Sequence, residues 1–269
     1  MKLACTNVMV PGKSITEKAE KLKKWGYEGL SIFVDEKLLN DDLVDEIVGL
    51  KEKTGITPCE FVLMSDLYGH LMDTNKGLRK KALRLYEKSI EVAGKVDGIT
   101  EMEYEYRVQD PLPLFNPYQE MPLNDREEFI EILNILTDKA EVHGAQILIE
   151  PCNRYETRYL TRIIDVMPLI KEVKSNNNGI LADFFHMSIE ESNISQSIVE
   201  AGNMIKHIHL GDNNRLLPGY GHTDFINFFQ ELKKIGYNGF MSLECGIEGS
   251  PEVELPKCAE YLKKLIQNN

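Results

Sequence analysis

The feature that most constrains the fold is the regular alternation of short apolar runs with amphipathic stretches. Eight runs rich in Ile, Val, Leu or aromatic residues predict β-strands. They lie at Leu3–Val8, Leu30–Val34, Pro58–Leu63, Ile99–Tyr104, Gln146–Glu150, Ile180–Asp183, His207–Leu210 and Phe240–Glu244. The stretches between them, at about 14–25, 40–54, 76–95, 124–143, 160–175, 190–203, 224–235 and 252–267, predict helices. Eight strand–helix units without an intervening linker favour one (β/α)8 TIM barrel domain over residues 1–269.

An internal repeat supports this unit. Leu22–Leu30 reads LKKWGYEGL, and Leu232–Phe240 reads LKKIGYNGF, 210 residues later. In each copy the first glycine is expected to end a helix at positive φ and the second to precede a strand. The rival fold is an open Rossmann-like sheet, but no GxGxxG follows any predicted strand, which argues against its dinucleotide-binding versions.

The clearest helical pattern is Asn124–His143. Asn124 is expected to cap it, with Glu127 completing a capping box. One apolar stripe follows, and Gly144 is expected to end the helix. The stripe consists of Phe129, Ile132, Leu133, Leu136 and Ala140.

Composition and charge narrow the range of partners. The 269 residues carry a formal charge of −12, which argues against nucleic acid or an anionic membrane as the main partner. The N-terminus lacks the apolar core of a signal peptide and no run of about 20 apolar residues occurs, so we expect a cytoplasmic protein. Five scattered cysteines without CxxC spacing indicate reduced buried thiols.

Potential metal ligands end each of the last four predicted strands: Glu150, Asp183, His209 and Glu244. In a parallel barrel these strand ends open on one face, so the side chains are expected to converge there. Three carboxylates and an imidazole suit one divalent ion, with Mn²⁺ preferred and Mg²⁺, Co²⁺ or Zn²⁺ as alternatives. The alternative is that single acids end strands facing solvent.

His207 and His209 point to the same side of a regular strand, so periodicity alone does not choose the ligand. We prefer His209, which lies nearer the carboxyl end of the strand. His207 is expected deeper in the barrel, hydrogen-bonded and structural.

Four segments together resemble the xylose isomerase-like barrel superfamily, and within it the D-tagatose 3-epimerase and D-psicose (allulose) 3-epimerase group. The resemblance covers the whole chain in order and is specific from residue 150 onward. The segments read EPCNRYE from Glu150, DFFHM from Asp183, HIHLGDNNR from His207 and SLE from Ser242.

The resemblance implies a metal-dependent ketose 3-epimerase. Glu150, Asp183, His209 and Glu244 would bind the metal, with Glu150 and Glu244 also moving protons as the catalytic pair. Glu156, His186 and Arg215 would bind the sugar, whereas a surface arginine and a helix-capping histidine are the plain alternatives for the last two. The partner is then a small sugar, and a homo-oligomer stays open.

Two regions depart from the resemblance. Ser31 stands where many superfamily members have Glu in the second strand, and the fourth strand end carries Glu101, Glu103 and Glu105. Glu103 or Glu105 is a candidate to enter the pocket. The segment Asp110–Pro122 is either a lid, with Phe115, Tyr118 and Met121 over the substrate, or a plain surface excursion.

Rival functions remain at this point. An aldose–ketose isomerase of the hydroxypyruvate isomerase type uses the same enediolate chemistry, and a non-enzymatic sugar-binding module would need the same pocket. Metal-dependent dehydratases rank lower because of the Asn-Arg-Tyr-Glu motif and Arg215. Apurinic endonucleases rank lower because they use extra histidines that the fourth strand end lacks.

Overall fold

The computed structural model describes residues 1–268 and confirms the TIM barrel. Eight parallel strands close into one barrel, and each pairs with its sequence neighbours. The strands are β1 Lys2–Thr6, β2 Gly29–Asp35, β3 Thr57–Met64, β4 Ile99–Met102, β5 Gln146–Ile149, β6 Asn178–Asp183, β7 Ile205–Leu210 and β8 Phe240–Leu243. Within the described residues, no helix has the length and apolarity of a membrane-spanning segment.

Helices surround the barrel and follow its strands. They are α1 Ile15–Trp25, α2 Asp41–Val48, α3 Leu50–Thr54, α4 Lys76–Gly94, α5 Leu123–His143, α6 Ile163–Val173, α7 Phe184–Glu190, α8 Ile194–Ala201, α9 Phe225–Lys234 and α10 Pro251–Asn268. The five cysteines, which all lie in the described part of the chain, are free thiols.

The α5 pattern is confirmed except at its start. Every residue of the predicted stripe is buried, and Gly144 ends the helix at φ 73°. The expectation that Asn124 caps the helix is wrong, because the helix begins at Leu123 and Pro122 occupies the cap position. Proline holds its φ near −65° and lacks an N–H, so the chain can enter the first helical turn directly after it.

One predicted helix is divided, and another is shorter than expected and preceded by an unpredicted helix. Gly49 separates α2 from α3 within the predicted 40–54 stretch. The predicted 190–203 helix corresponds to α8, and an additional short helix, α7, follows β6 directly. Glu191 is extended, with ψ 129°, and therefore ends α7. The short α7 matters for the site because Asp183 caps it.

The repeated helix-to-strand connection is confirmed at its glycines. Gly26 and Gly236 have φ values of 90° and 72°, in the left-handed region that disfavours residues with a Cβ. Gly26 ends α1, and Gly236 follows α9. The two copies therefore connect equivalent helices to β2 and β8.

Strand register brings the candidate ligands to one end of the barrel. Asp183 on β6 lies opposite His209 on β7, and His209 lies opposite Ser242 on β8. Glu150 and Glu244 directly follow β5 and β8. The carboxyl ends of four consecutive strands thus carry all four side chains.

Candidate metal centre

The four predicted ligands lie together. One ligand atom from each of Glu150, Asp183, His209 and Glu244 lies within 4.8 Å of the others. His209 Nδ1 is 3.5 Å from Glu150 Oε1 and 3.4 Å from Glu244 Oε2. Three of the residues are buried and Glu244 is half-buried, so the cluster is reached from one side.

Unpartnered polar atoms point into this cluster. Glu150 Oε1, Asp183 Oδ2 and His209 Nδ1 are buried and find no hydrogen-bond partner in the described part of the chain. Buried polar atoms are normally hydrogen-bonded, so three such atoms in one cluster call for an external partner. A divalent cation suits a set of carboxylate oxygens and an imidazole nitrogen, and these residues therefore fit a metal.

Local structure fixes the orientation of Asp183. Its Oδ1 accepts hydrogen bonds from the backbone N–H of Phe185 and of His186, at 2.6 and 3.1 Å, as the cap of α7. The other oxygen, Oδ2, is left without a partner and faces the cluster. The capping role thus presents one defined oxygen to the site.

Charge differs sharply among the four. Burial raises the pKa of Asp183 and of Glu150. Burial would also raise the pKa of Glu244, but His209 and Arg215 lower it to about 2. Burial would lower the pKa of His209, but the carboxylates of Glu60 and Glu244 raise it well above its usual value. In the absence of a cation, a proton on His209 offsets part of the negative charge.

The predicted sugar-binding residues line the same site. Arg215 donates to Glu156 Oε1 at 3.1 Å and lies 3.5 Å from Glu244 Oε2, with its guanidinium over the ring of Phe185. Asn153 donates from Nδ2 to Glu156 Oε1 at 2.8 Å. These contacts link Glu156, Arg215 and Glu244 into one network.

The tautomer of His186 follows from its contacts. His186 Nδ1 accepts from the backbone N–H of Asn153 at 3.2 Å and from Asn153 Nδ2 at 2.8 Å. Burial lowers the pKa of His186 to about 3, so the ring is neutral and its proton is on Nε2. Nε2 lies 4.0 Å from Asp183 Oδ2, beside the cluster.

Glu103, Glu105 and His207 occupy three different environments. Glu103 lies with Glu101 and Glu150 in a second acidic cluster, whereas Glu105 accepts from the backbone N–H of Arg158 and pairs with Arg107. His207 is buried as expected. The expectation that it is hydrogen-bonded does not hold at Nε2, which has no partner among the described residues.

The segment 110–122 has no helix or strand before Pro122. Phe115 is 97% exposed. The guanidinium carbon of Arg162 lies 3.9 Å from the centre of the Tyr118 ring. The hydroxyl of Tyr118 donates to the carbonyl of Glu190 at 2.9 Å. Met121 packs against the core. The lid thus remains a prediction, but Phe115 does not shield the site in this conformation.

Glu60 is the buried acid that the sequence analysis missed. It lies fully buried within β3, and its Oε2 is 3.1 Å from His209 Nε2. The predicted ligands lie at strand ends, whereas Glu60 lies four residues before the end of its strand. A charged residue inside an apolar run, Thr57–Met64, was the available signal.

A closed parallel barrel with three carboxylates and a histidine at its carboxyl end defines a class of barrel proteins with a candidate metal centre. Residues 19–265 match the model of the xylose isomerase-like TIM barrel family. The chain therefore belongs to that family.

Two relatives indicate the range of activities in its neighbourhood. The chain is 28% identical to the 3-dehydro-D-guloside 4-epimerase of Escherichia coli (strain K12), over 91% of this chain and 92% of the relative. It is 32% identical to the L-ribulose 3-epimerase of Methylomonas sp. (strain DH-1), but the matched segment covers only 51% of this chain and 47% of that enzyme.

Solved structures agree with the fold. The apo structure of a 3-keto-D-glucoside 4-epimerase from E. coli superposes with a TM-score of 0.84 and 26% identity, covering 98% of this chain and 99% of that one. A D-psicose 3-epimerase from Clostridium cellulolyticum H10, solved with D-tagatose, has a TM-score of 0.84 and 21% identity, with 99% of both chains covered. The latter likeness shows the fold alone.

Proposed function

We propose that this protein is a divalent-metal-dependent sugar epimerase that inverts a hydroxyl-bearing carbon next to a ketone, with ketose 3-epimerisation as the leading activity. The observation that carries the proposal is the convergence of two glutamates, Glu150 and Glu244, on the histidine and aspartate of one cluster. Similarity to epimerases of keto sugars supports the reaction class.

Glu150, Asp183, His209 and Glu244 would hold the cation. A bound divalent ion supplies Lewis acidity, which makes a C–H next to a carbonyl easier to deprotonate. The unpartnered atoms of Glu150, Asp183 and His209 support this set of ligands. Mn²⁺ remains the preferred ion because the donors are mainly oxygen.

The two glutamates would move the protons. One carboxylate removes the proton from the carbon next to the ketone, which leaves an enediolate. The other glutamate, in its acid form, gives a proton to the opposite face, so the configuration of that carbon is inverted and the two side chains end with their protonation states exchanged. Glu150 follows β5 and Glu244 follows β8, so the two carboxylates approach the site from different strands.

Arg215, His186 and Glu156 would bind and orient the sugar. His186 Nε2–H is available to donate to a substrate oxygen, because Nδ1 already accepts from Asn153. Arg215 adds a positive charge beside Glu244. Fixed donors of this kind act most strongly on oxygens that gain negative charge as the reaction proceeds. Glu156 holds Arg215 in place.

A second candidate is a 4-epimerase of keto-glycosides. The match to the 3-dehydro-D-guloside 4-epimerase runs over nine-tenths of both chains, whereas the match to the L-ribulose 3-epimerase covers about half of each. A 3-dehydro sugar carries its ketone next to C4, so the chemistry is the same and only the position on the sugar differs.

Deuterium incorporation distinguishes these activities. Mn²⁺-loaded protein is incubated in D₂O with free and phosphorylated ketoses and with 3-keto-glycosides, and NMR locates the deuterium. Deuterium at C3 of a ketose, together with the epimer, supports the leading activity, and deuterium at C4 of a 3-keto-glycoside supports the second. Deuterium at C1 with formation of an aldose would instead indicate an aldose–ketose isomerase. Binding without exchange would indicate a sugar-binding module.

A further inference from the structure

We propose that Glu60 is a positioning residue that orients the imidazole of His209, so that Nδ1 faces the cluster of Glu150, Asp183 and Glu244. This inference rests on the proposed metal dependence. It adds a fifth residue, from the opposite half of the barrel, to the four that would contact the cation.

The hydrogen bond from His209 to Glu60 defines the ring's orientation. Nε2 lies 3.1 Å from Glu60 Oε2, within hydrogen-bond range. The next acid, Glu101, has its Oε2 4.0 Å away, which is too long for a hydrogen bond. Because an ionised carboxylate only accepts, Nε2 carries the proton and Nδ1 is the nitrogen left for the cation.

The position of Glu60 suits this role. Its side chain is fully buried, and its backbone pairs with Ser31 of β2, directly after a register shift, and with Ile99 of β4. Its Oε2 also lies 3.5 Å from His207 Nε2, so the carboxylate lies beside both histidines of β7. Those two rings are nearly perpendicular, at 89°. If the ring of His209 flipped, Nε2 would move away from Glu60 Oε2, its close acceptor among the described residues.

Ser31 is the neighbour of Glu60 on β2, and both side chains are buried. In the register between β2 and β3, Ser31 lies directly opposite Glu60. Glu60 brings a carboxylate into the same layer of the barrel from the neighbouring strand.

Such a partner matters for metal affinity. A carboxylate that holds the far nitrogen of a histidine ligand fixes its tautomer and increases its basicity, and loss of that partner weakens metal binding by about 10- to 100-fold. Glu60→Gln keeps the size of the side chain but removes the charge. It is therefore expected to weaken metal binding with all four proposed ligands intact.

The test measures Co²⁺ affinity of the metal-free full-length protein by competition with a chromophoric chelator. Glu60→Gln is expected to bind Co²⁺ about 10- to 100-fold more weakly than the wild type. The matched control is Thr100→Val. It removes a buried hydroxyl that is hydrogen-bonded to Ser89 of the surrounding helix α4. It is expected to bind Co²⁺ as the wild type does.

Wild-type affinity in Glu60→Gln, or equal weakening in both variants, would overturn the positioning role. Absence of Co²⁺ binding by the wild type would overturn it together with the metal dependence. If Co²⁺ binds as expected but no sugar exchanges deuterium, the proposed activity fails while the role of Glu60 stands.

A second measurement uses the wild type alone, in case Glu60→Gln does not fold. Long-range ¹⁵N–¹H NMR of the Zn²⁺-loaded protein reports which nitrogen of His209 carries the proton, with His209→Gln used to assign its signals. A proton on Nε2 supports the inference. A proton on Nδ1 contradicts it.

Discussion

The two halves of the barrel differ in what their strands contribute to the site. The second half, β5 to β8, carries all four candidate ligands at its strand ends. The first half, β1 to β4, contributes buried acids that are not among these candidate ligands. Glu60 on β3 is within hydrogen-bond distance of His209, and Glu101 on β4 accepts a hydrogen bond from the hydroxyl of Tyr68. In the proposed mechanism, the second half would hold the cation and move the protons. The first half would orient His209 through the contact with Glu60.

The largest expected effect lies in the second half. Glu150→Gln and Glu244→Gln each keep the size of the side chain but remove a proton carrier, so each is expected to lower kcat by about 10²- to 10⁴-fold, the range of positioned acid–base catalysis. Steady-state kinetics with the substrate found by deuterium exchange would measure this, beside the ion content of each variant. Near-normal turnover in either variant would remove that glutamate from the proton-moving pair.

The second half could be predicted from the sequence because its signals are local. Glu150, Asp183, His209 and Glu244 each end an apolar run, and the barrel topology alone brings strand ends to one face. The preference for His209 over His207 rests on its position along one strand and stays a prediction.

The first half could not be predicted in the same way. Whether Glu60 contacts His209, 149 residues away, depends on the register between β2 and β3 and on closure of the barrel. Neither the strand register nor the side-chain contacts made by barrel closure can be read from a single sequence. The start of α5 shows a smaller gap of the same kind, since Asn124 was the expected cap and Pro122 occupies that position.

An intermediate effect is expected at His207, the buried histidine two residues before His209. The quantity affected is the pH dependence of the free energy of unfolding. Burial lowers the pKa of His207 to about 4, so the folded protein holds it neutral while the unfolded chain binds a proton below about pH 6.5. The stability that comes from the neutral ring is present above pH 6.5 and is lost as the pH falls through about 4. This loss is up to about 3 kcal/mol.

Chemical denaturation of the metal-free protein between pH 7 and pH 4 would measure this loss. In His207→Gln, the free energy of unfolding is expected to fall less steeply with decreasing pH than in the wild type. His222→Gln makes the same chemical change at an exposed histidine and serves as the control. An identical pH slope in His207→Gln and the wild type would show that folding does not change the pKa of His207.

The smallest effect is expected at Glu101, in the first half. Burial, and then the charge of Glu150, raise the pKa of Glu101 well above its usual value, which favours the protonated, neutral carboxyl. Glu101→Gln replaces one neutral group by another of the same shape and keeps an oxygen to accept from Tyr68. We expect kcat/KM to stay within about threefold of the wild type, less than 1 kcal/mol in transition-state stabilisation.

This variant sharpens the contrast with Glu60, because both acids are buried in the first half and face His209. Glu60 has its pKa lowered: burial opposes ionisation, but the charge of His209 and the hydrogen bond with it outweigh burial. The same Glu→Gln change therefore removes a charge at position 60 and none at position 101. A loss of 10²-fold or more in Glu101→Gln, measured with unchanged Co²⁺ affinity, would place an ionised carboxylate of the first half in the reaction itself and end the division between the two halves.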